Sequence, residues 1–214
     1  MKKGCIFDLD GTLVNSIEDL ALSTNIVLKN HHLPTYEISQ YNYFVGNGVK
    51  KLMERALGSE HFNLLDECLE EFQNVYQLHC LANTRPYPGI KEVIDVLYDK
   101  GMKLAIVTNK PHHLAIKIVD ALFPDRFIAV YGQQDAYPIK PNPESVFYAL
   151  LNMGISKDDC YFIGDSNVDI ETGYNAEMET IGVSWGFRGR EELEKAGADH
   201  VVDEPCEIKE IILK

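Results

Sequence analysis

Read for its apolar and polar positions, the chain falls into stretches of different rhythm. It opens on a short apolar run, Cys5-Ile6-Phe7, that stops at Asp8-Leu9-Asp10-Gly11-Thr12-Leu13. A run without alternation reads as a strand buried on both faces of a parallel sheet. After Leu13 the apolar positions recur instead at three- and four-residue spacing. Ile17, Leu20, Ala21, Thr24, Val27 and Leu28 make one helical stripe, with Ser16 as its N-cap and Pro34 beyond its end. Val49, Leu52, Met53, Ala56 and Leu57 make a second, closed by Gly58, and a third, longer stripe runs from Leu65 to His79. No strand is expected from about Asn15 to Ala82.

Thr84-Arg85-Pro86-Tyr87-Pro88-Gly89 reads as a turn or hinge. Beyond it, helices and strands alternate. The expected strands are Leu104–Val107, Phe127–Tyr131, Cys160–Ile163, Thr180–Val183 and one around His200–Val202. The expected helices are Ile90–Leu97, Pro111–Leu122, one from Pro143 through Leu151, Val168–Asn175, Arg190–Ala196 and Cys206–Leu213. Such alternation predicts an α/β fold, a Rossmann-like, doubly wound parallel sheet core with an inserted all-helical domain. The expected division is 1–14 and 83–214 for the core and 15–82 for the insert. Right-handed crossovers then bring all strand carboxyl ends to one edge, where open α/β sheets bind ligands.

Composition narrows the function classes. With 214 residues, 45% apolar and 25% charged, the chain has the balance of a globular protein able to bury its own core. A net charge of -13 argues against a nucleic-acid or acidic-membrane surface. The same charge means that an anionic ligand needs a local cation or metal. Cys5, Cys68, Cys80, Cys160 and Cys206 show no metal-like spacing, which suits reduced thiols and a cytoplasmic location. An apolar leader and a membrane-length window are both missing from the sequence.

Candidate chemistry lies at the strand ends. Asp8 and Asp10 read as a ligand-facing carboxylate pair or as an ordinary turn, and alone the two readings are even. Thr108-Asn109-Lys110 follows the second strand of the core; its hydroxyl and amide suit a phosphate, although Thr108 by itself reads as an N-cap. Lys140, stiffened by Pro141 and Pro143, places a cation. Gly164-Asp165-Ser166-Asn167-Val168-Asp169 adds two acids that either favour a helix N-terminus or complete an oxygen-ligand metal site with Asp8. Their recurrence at successive strand ends favours a site over four separate coincidences.

These residues resemble the four ordered motifs of the haloacid dehalogenase superfamily of aspartate-nucleophile phosphatases: DxDGT at 8–12, Thr108, Lys140 before Pro141, and GDSxxD at 164–169. The resemblance covers essentially the whole chain. The insert is similar to that family's helical cap. Val45-Gly46-Asn47-Gly48 and the following Leu52–Leu57 are similar to the cap of bacterial phosphoglycolate phosphatases. Asn15 departs from the pattern, since many relatives carry Asp there.

The resemblance implies a magnesium-dependent phosphomonoester hydrolase working through a phospho-aspartate. Asp8 would be the nucleophile, and Asp10 the acid and base. Mg²⁺ would lie on Asp8, the Asp10 carbonyl and Asp165, with Asp169 behind them orienting water or Lys140. Thr108 and Lys140 would bind phosphoryl oxygens, helped by Asn109 and the backbone of Gly11 and Thr12. Gly46, Asn47 and Gly48 would meet the leaving group. Arg55 is equally a substrate contact or a solvated surface charge. The expected partner is a small phosphorylated metabolite, foremost 2-phosphoglycolate, and the protein a monomer or homodimer. A β-phosphoglucomutase, a pyrophosphatase and a broad sugar or nucleotide phosphatase share the motifs and stay open. A non-catalytic phosphate-binding module would be expected to have lost Asp8 or Asp10, and a signalling receiver domain lacks the insert. The loop Trp185-Gly186-Phe187-Arg188 has no assigned role beyond lining the cap seam.

Overall fold

The structure is a computed structural model, and it describes residues 2–214. Its sheet has six parallel strands: β1 (Gly4–Phe7), β4 (Lys103–Pro111), β5 (Ala129–Gln133), β6 (Cys160–Gly164), β7 (Glu179–Val183) and β8 (His200–Val202). A separate two-stranded antiparallel ribbon pairs β2 (Val14–Asn15) with β3 (Arg85–Pro86). Across the sheet the order is β5-β4-β1-β6-β7-β8. Chain order therefore runs outward on one side of β1 and then resumes at β6 on the other. That reversal is a topological switch point, and the crevice it leaves at the carboxyl ends is where such sheets hold ligands.

The apolar run of β1 is buried because both faces are covered. Cys5 and Phe7 join one core with Leu104, Ile106 and Ile163, roofed by α4 (Ile90–Asp99), α5 (His112–Leu122) and α9 (Pro205–Ile212). Ile6 joins Ala105, Val107 and Phe162 on the other face, beneath α6 (Glu144–Met153). The short helices α7 (Asn167–Asn175) and α8 (Arg190–Ala196) complete the crossovers between β6, β7 and β8. The α/β reading of the sequence holds, with each predicted strand present.

Between β2 and β3 the chain is helical: α1 (Ile17–Asn30), α2 (Gly48–Leu57) and α3 (Leu65–His79), joined by 3₁₀ turns at Ile38–Tyr43 and Ser59–Leu64. Phe72 and Tyr76 stack within α3 and are fully buried, so the third stripe is an interior face. The crossings into and out of this insert are fastened together. The buried Asp19 carboxylate on α1 accepts hydrogen bonds from the Asn83 and Thr84 amides and from the Thr84 hydroxyl.

Three local expectations shift. Asn15, Arg85 and Pro86 were read as helical insert and turn, but they pair as the ribbon, a two-residue ladder too short to leave an apolar pattern. Pro111 ends β4 instead of opening the next helix. The third core strand starts at Ala129, not Phe127. Phe127 instead wedges edge-on between Phe7 and Phe123, with ring centroids 6.3 and 5.9 Å away, plugging the core from the loop.

Candidate active site

At the switch point, Asp8 follows the end of β1 and lies beside the end of β6, its amide donating to the Ile163 carbonyl at 2.8 Å. Gly11 turns the chain with φ +91°, and a side chain there would overlap the Asp165 carboxylate. The turn thus brings the Asp8–Asp10 loop against the loop after β6. Asp8, Asp165 and Asp169 are all buried, and a carboxylate oxygen from each lies within 4.8 Å of the others. Lys140 enters from the loop after β5, its peptide to Pro141 being cis. Its ammonium donates to Asp8 Oδ1 at 2.7 Å and to Asp169 Oδ1 at 2.6 Å.

One ammonium among three buried acids leaves excess negative charge. Burial pushes the Asp8 carboxyl up to about 6, although Lys140 draws it down. Burial, followed by the charges of Asp169 and Asp8, raises Asp165 well above the usual carboxylate range, against the pull of the Phe187 amide. Lys140 also moves up, which for a lysine favours the charged form: burial disfavours its charge, but Asp169 and Asp8 raise its pKa above that of an ordinary lysine. The donor set is entirely hard oxygen, which fits a divalent cation of the magnesium class and offers nothing to a thiophilic metal. Asp169 has little capacity to spare. Its Oδ1 holds Lys140, and its Oδ2 accepts from the Ser166 amide and hydroxyl in a capping box that opens α7.

Asp10 faces a different set of partners. The Lys110 ammonium donates to both its oxygens, at 2.9 and 3.0 Å, and the Ser16 hydroxyl donates to Oδ1 at 2.6 Å. Burial disfavours the charge of Lys110, yet Asp10 and then Tyr76 raise its pKa above the ordinary lysine value. The two acids of the first loop are thus each paired with their own lysine. The sequence reading missed Lys110, because a lysine between Asn and Pro has the look of a solvated loop residue. Only its adjacency to Thr108 at a strand end could have flagged it.

Thr108 lies beside these acids, and with Asp8, Asp10, Asn109 and Lys110 it forms the core wall of a cavity of about 50 Å³. The insert supplies the opposite wall, through Leu20, Val45, Gly46, Val49, Leu52 and Tyr76 among others. Gly46 and Gly48, with φ +104° and +82°, turn the chain into the N-terminus of α2 at this wall. Asn109 spends its side chain as a clip. Its amide donates to the carbonyls of Gly46 and Lys140 at 3.3 and 3.2 Å, and its oxygen accepts the Lys140 N–H at 2.8 Å. The Thr12 hydroxyl lies 3.5 Å from Asp165 Oδ1.

Two further groups brace the loops around the cavity. Arg55, read as equally a substrate contact or a solvated charge, is half-buried and hydrogen-bonded within the insert. Its guanidinium donates to the Phe44 carbonyl at 2.9 Å, the Val45 carbonyl at 3.4 Å and Asn47 Oδ1 at 2.9 Å, bracing the loop before α2. Asn47 accordingly directs its side-chain oxygen to Arg55 and away from the cavity. The loop of unassigned role does more than line a seam. Its Phe187 amide donates to Asp165 Oδ2 at 2.7 Å, its Trp185 indole to the Thr12 carbonyl at 3.1 Å, and its Arg188 to the Val45 carbonyl at 3.0 Å. Gly186 lies against Asp165 and the Gly11 carbonyl, where a side chain has no room.

Residues 5–183 match the family model described as haloacid dehalogenase-like hydrolase. The chain is 34% identical to a phosphoglycolate phosphatase of Haemophilus influenzae, over 96% of each chain. It is 31% identical to an N-acetylmuramic acid 6-phosphate phosphatase of Pseudomonas aeruginosa, over 98% of this chain and 94% of that one. Among solved structures, a Lactobacillus delbrueckii subsp. bulgaricus protein provisionally assigned as a phosphoglycolate phosphatase superposes with a TM-score of 0.93. It shares 33% identity over 99% of both chains.

Proposed function

The chain belongs to the haloacid dehalogenase-like hydrolase family, and from that premise we propose that it is a magnesium-dependent phosphatase of small phosphate monoesters, acting through Asp8. The observation that carries this reading is the cluster of Asp8, Asp165 and Asp169 around Lys140, with Asp10 one turn away on its own lysine.

Each residue then has a distinct task. Asp8 attacks phosphorus and forms an aspartyl-phosphate, which divides hydrolysis into two easier steps. Asp10 gives a proton to the departing oxygen and later takes one from the attacking water. Thr108 and the Lys140 ammonium hold phosphoryl oxygens as their charge spreads in the transition state. Asp8, Asp165 and the backbone carbonyl of Asp10 would hold Mg²⁺, which would supply the positive charge that an anionic nucleophile needs to meet an anionic substrate. Asp169 orients Lys140, and the Gly11 and Thr12 backbone adds donors beside the phosphate. The helical segment 15–82 serves as a cap over the core of 1–14 and 83–214, excluding bulk water while the aspartyl-phosphate forms.

For the substrate, 2-phosphoglycolate is the preferred reading. The cavity is small, and the amides at the α2 N-terminus, around Gly46 and Gly48, offer donors to a short carboxylate. A sugar phosphatase is the second reading, favoured by the similarity to the N-acetylmuramic acid 6-phosphate phosphatase. With 4-nitrophenyl phosphate and Mg²⁺, Asp8→Asn is expected to lose at least about 10³-fold in kcat. Retention of wild-type turnover in that variant would overturn the mechanism. A kcat/KM panel over phosphoglycolate, pyrophosphate, hexose phosphates and nucleotides tests the substrate, and comparable values throughout would sink the phosphoglycolate assignment.

A further inference from the structure

Two of the buried polar groups at the cleft belong to no task derived so far. Lys110 lies on the core strand β4 and Tyr76 on helix α3 of the insert, and both are buried. The Lys110 ammonium donates to Tyr76 Oη at 2.6 Å and at the same time to both oxygens of Asp10. An ammonium has three donors. These contacts use them, so the direction of the stem and head of Lys110 is fixed from both sides of the cleft. Tyr76 is itself held by stacking on Phe72, one turn earlier in α3, with ring centroids 5.3 Å apart.

We propose that Tyr76 and Lys110 form a latch that aligns the Asp10 carboxylate only when the helical insert is closed on the core. The inference rests on the reading of Asp10 as proton donor and acceptor. Lys110 and Tyr76 are positioning residues, since they act on the reaction through Asp10. The physical reason lies in where the two partners come from. Ser16 sits next to Asp10 on the entering crossing and holds one of its oxygens whatever the insert does further along. Tyr76 arrives from the far end of the insert, and its hydroxyl reaches Lys110 only when α3 lies over β4. A shift of α3 by a few ångströms breaks a 2.6 Å bond and frees the ammonium to swing towards solvent, and the carboxylate loses a bidentate partner. Closure over a substrate and alignment of the acid become one event, so proton transfer is suppressed while water has access to the site.

The test uses Tyr76→Phe, which keeps the ring and its stacking and removes only the hydroxyl. Wild type, Tyr76→Phe, Asp10→Asn and the double variant are followed by rapid quench through the first turnover on 2-phosphoglycolate, an alkyl ester whose leaving oxygen needs a proton, and on 4-nitrophenyl phosphate, whose leaving group departs without one, so that formation of the aspartyl-phosphate is read apart from its hydrolysis. Tyr76→Phe is expected to slow that first step about tenfold on the alkyl ester and by no more than about twofold on the aryl ester, while hydrolysis of the aspartyl-phosphate, common to both, slows alike. In the Asp10→Asn background the same hydroxyl deletion should change nothing further, because groups acting through one residue are not additive. Lys110→Met should reproduce the alkyl-selective pattern with a larger loss. Equal losses on both esters in the first step, or an undiminished tenfold loss in the Asp10→Asn background, would overturn the latch while leaving Asp10 as the acid. An Asp10→Asn enzyme that still turned over the alkyl ester at the wild-type rate would remove the acid role itself.

Discussion

Replacing Lys140 with Met removes one charge while keeping most of the stem, and its cost can be worked from the surroundings. The ammonium is 3% exposed and touches Asp8 and Asp169, whose side chains are 10% and 2% exposed. Without it, those two carboxylates and Asp165 face one another in a dry pocket. Breaking a buried pair by deleting one partner costs about 3–5 kcal/mol, because the remaining charge is left uncompensated. The pocket has one cheap way to relax, which is to bind protons. Lys140 is what draws the Asp8 carboxyl down towards about 6 against its burial, so its removal raises that pKa further. At pH 5 the carboxyls protonate and the deficit should shrink to about 1 kcal/mol; at pH 7.5 the full cost should appear. The measurement is urea unfolding of wild type and Lys140→Met in EDTA at several pH values, repeated with excess Mg²⁺, which should recover part of the loss at high pH. A deficit of the same size at pH 5 and pH 7.5, or one below about 1 kcal/mol throughout, would refute the picture of uncompensated carboxylates.

Wild-type protein freed of metal should itself lose stability as pH rises. Asp8 titrates at 3.8 as an ordinary carboxyl and at about 6 in the fold, so the folded state holds its proton more tightly across that window. Its contribution is intact below pH 3.8 and lost as pH rises through about 6, a cost of about 3 kcal/mol that thermal melts in EDTA should detect and Mg²⁺ should offset. A melting temperature that climbed from pH 5 to pH 7 in EDTA would contradict this. Gly186→Ala should cost about 1–3 kcal/mol, since the new methyl overlaps Asp165 and the Gly11 carbonyl. The same change should weaken Mg²⁺ binding by calorimetry, because the Phe187 amide can no longer reach Asp165. Unchanged affinity would show that the loop does not hold that acid.

What could be read from the sequence follows from how parallel sheets are made. Every core strand carries its apolar run within a few residues, and right-handed crossovers deliver all the following polar residues to one edge. Asp8, Thr108, Lys140 and Asp165 could therefore be brought together without coordinates. What escaped reading lies across the other direction of packing. Lys110 and Tyr76 are separated along the chain and belong to different rhythms, one a polar residue after an apolar strand run and the other the sixth member of a helical stripe. Nothing in periodicity says that an aromatic hydroxyl at a core position points at a lysine. Arg55 and Arg188 escaped in a similar way. A guanidinium that ends on backbone carbonyls, such as that of Val45, has no complementary acid in the sequence to announce it.

The charge arrangement separates two carboxylates that stand side by side in the first loop. Only Leu9 lies between Asp8 and Asp10, yet Lys140 pairs with the first and Lys110 with the second, so on the proposed function the nucleophile and the proton carrier would be held independently. On the same proposal the core side would set the reaction type and the insert side the substrate, and on the insert side every cavity-lining side chain is uncharged. Both nearby arginines are committed to loop carbonyls. On the proposed function a substrate carboxylate would therefore be met by amides at the α2 N-terminus.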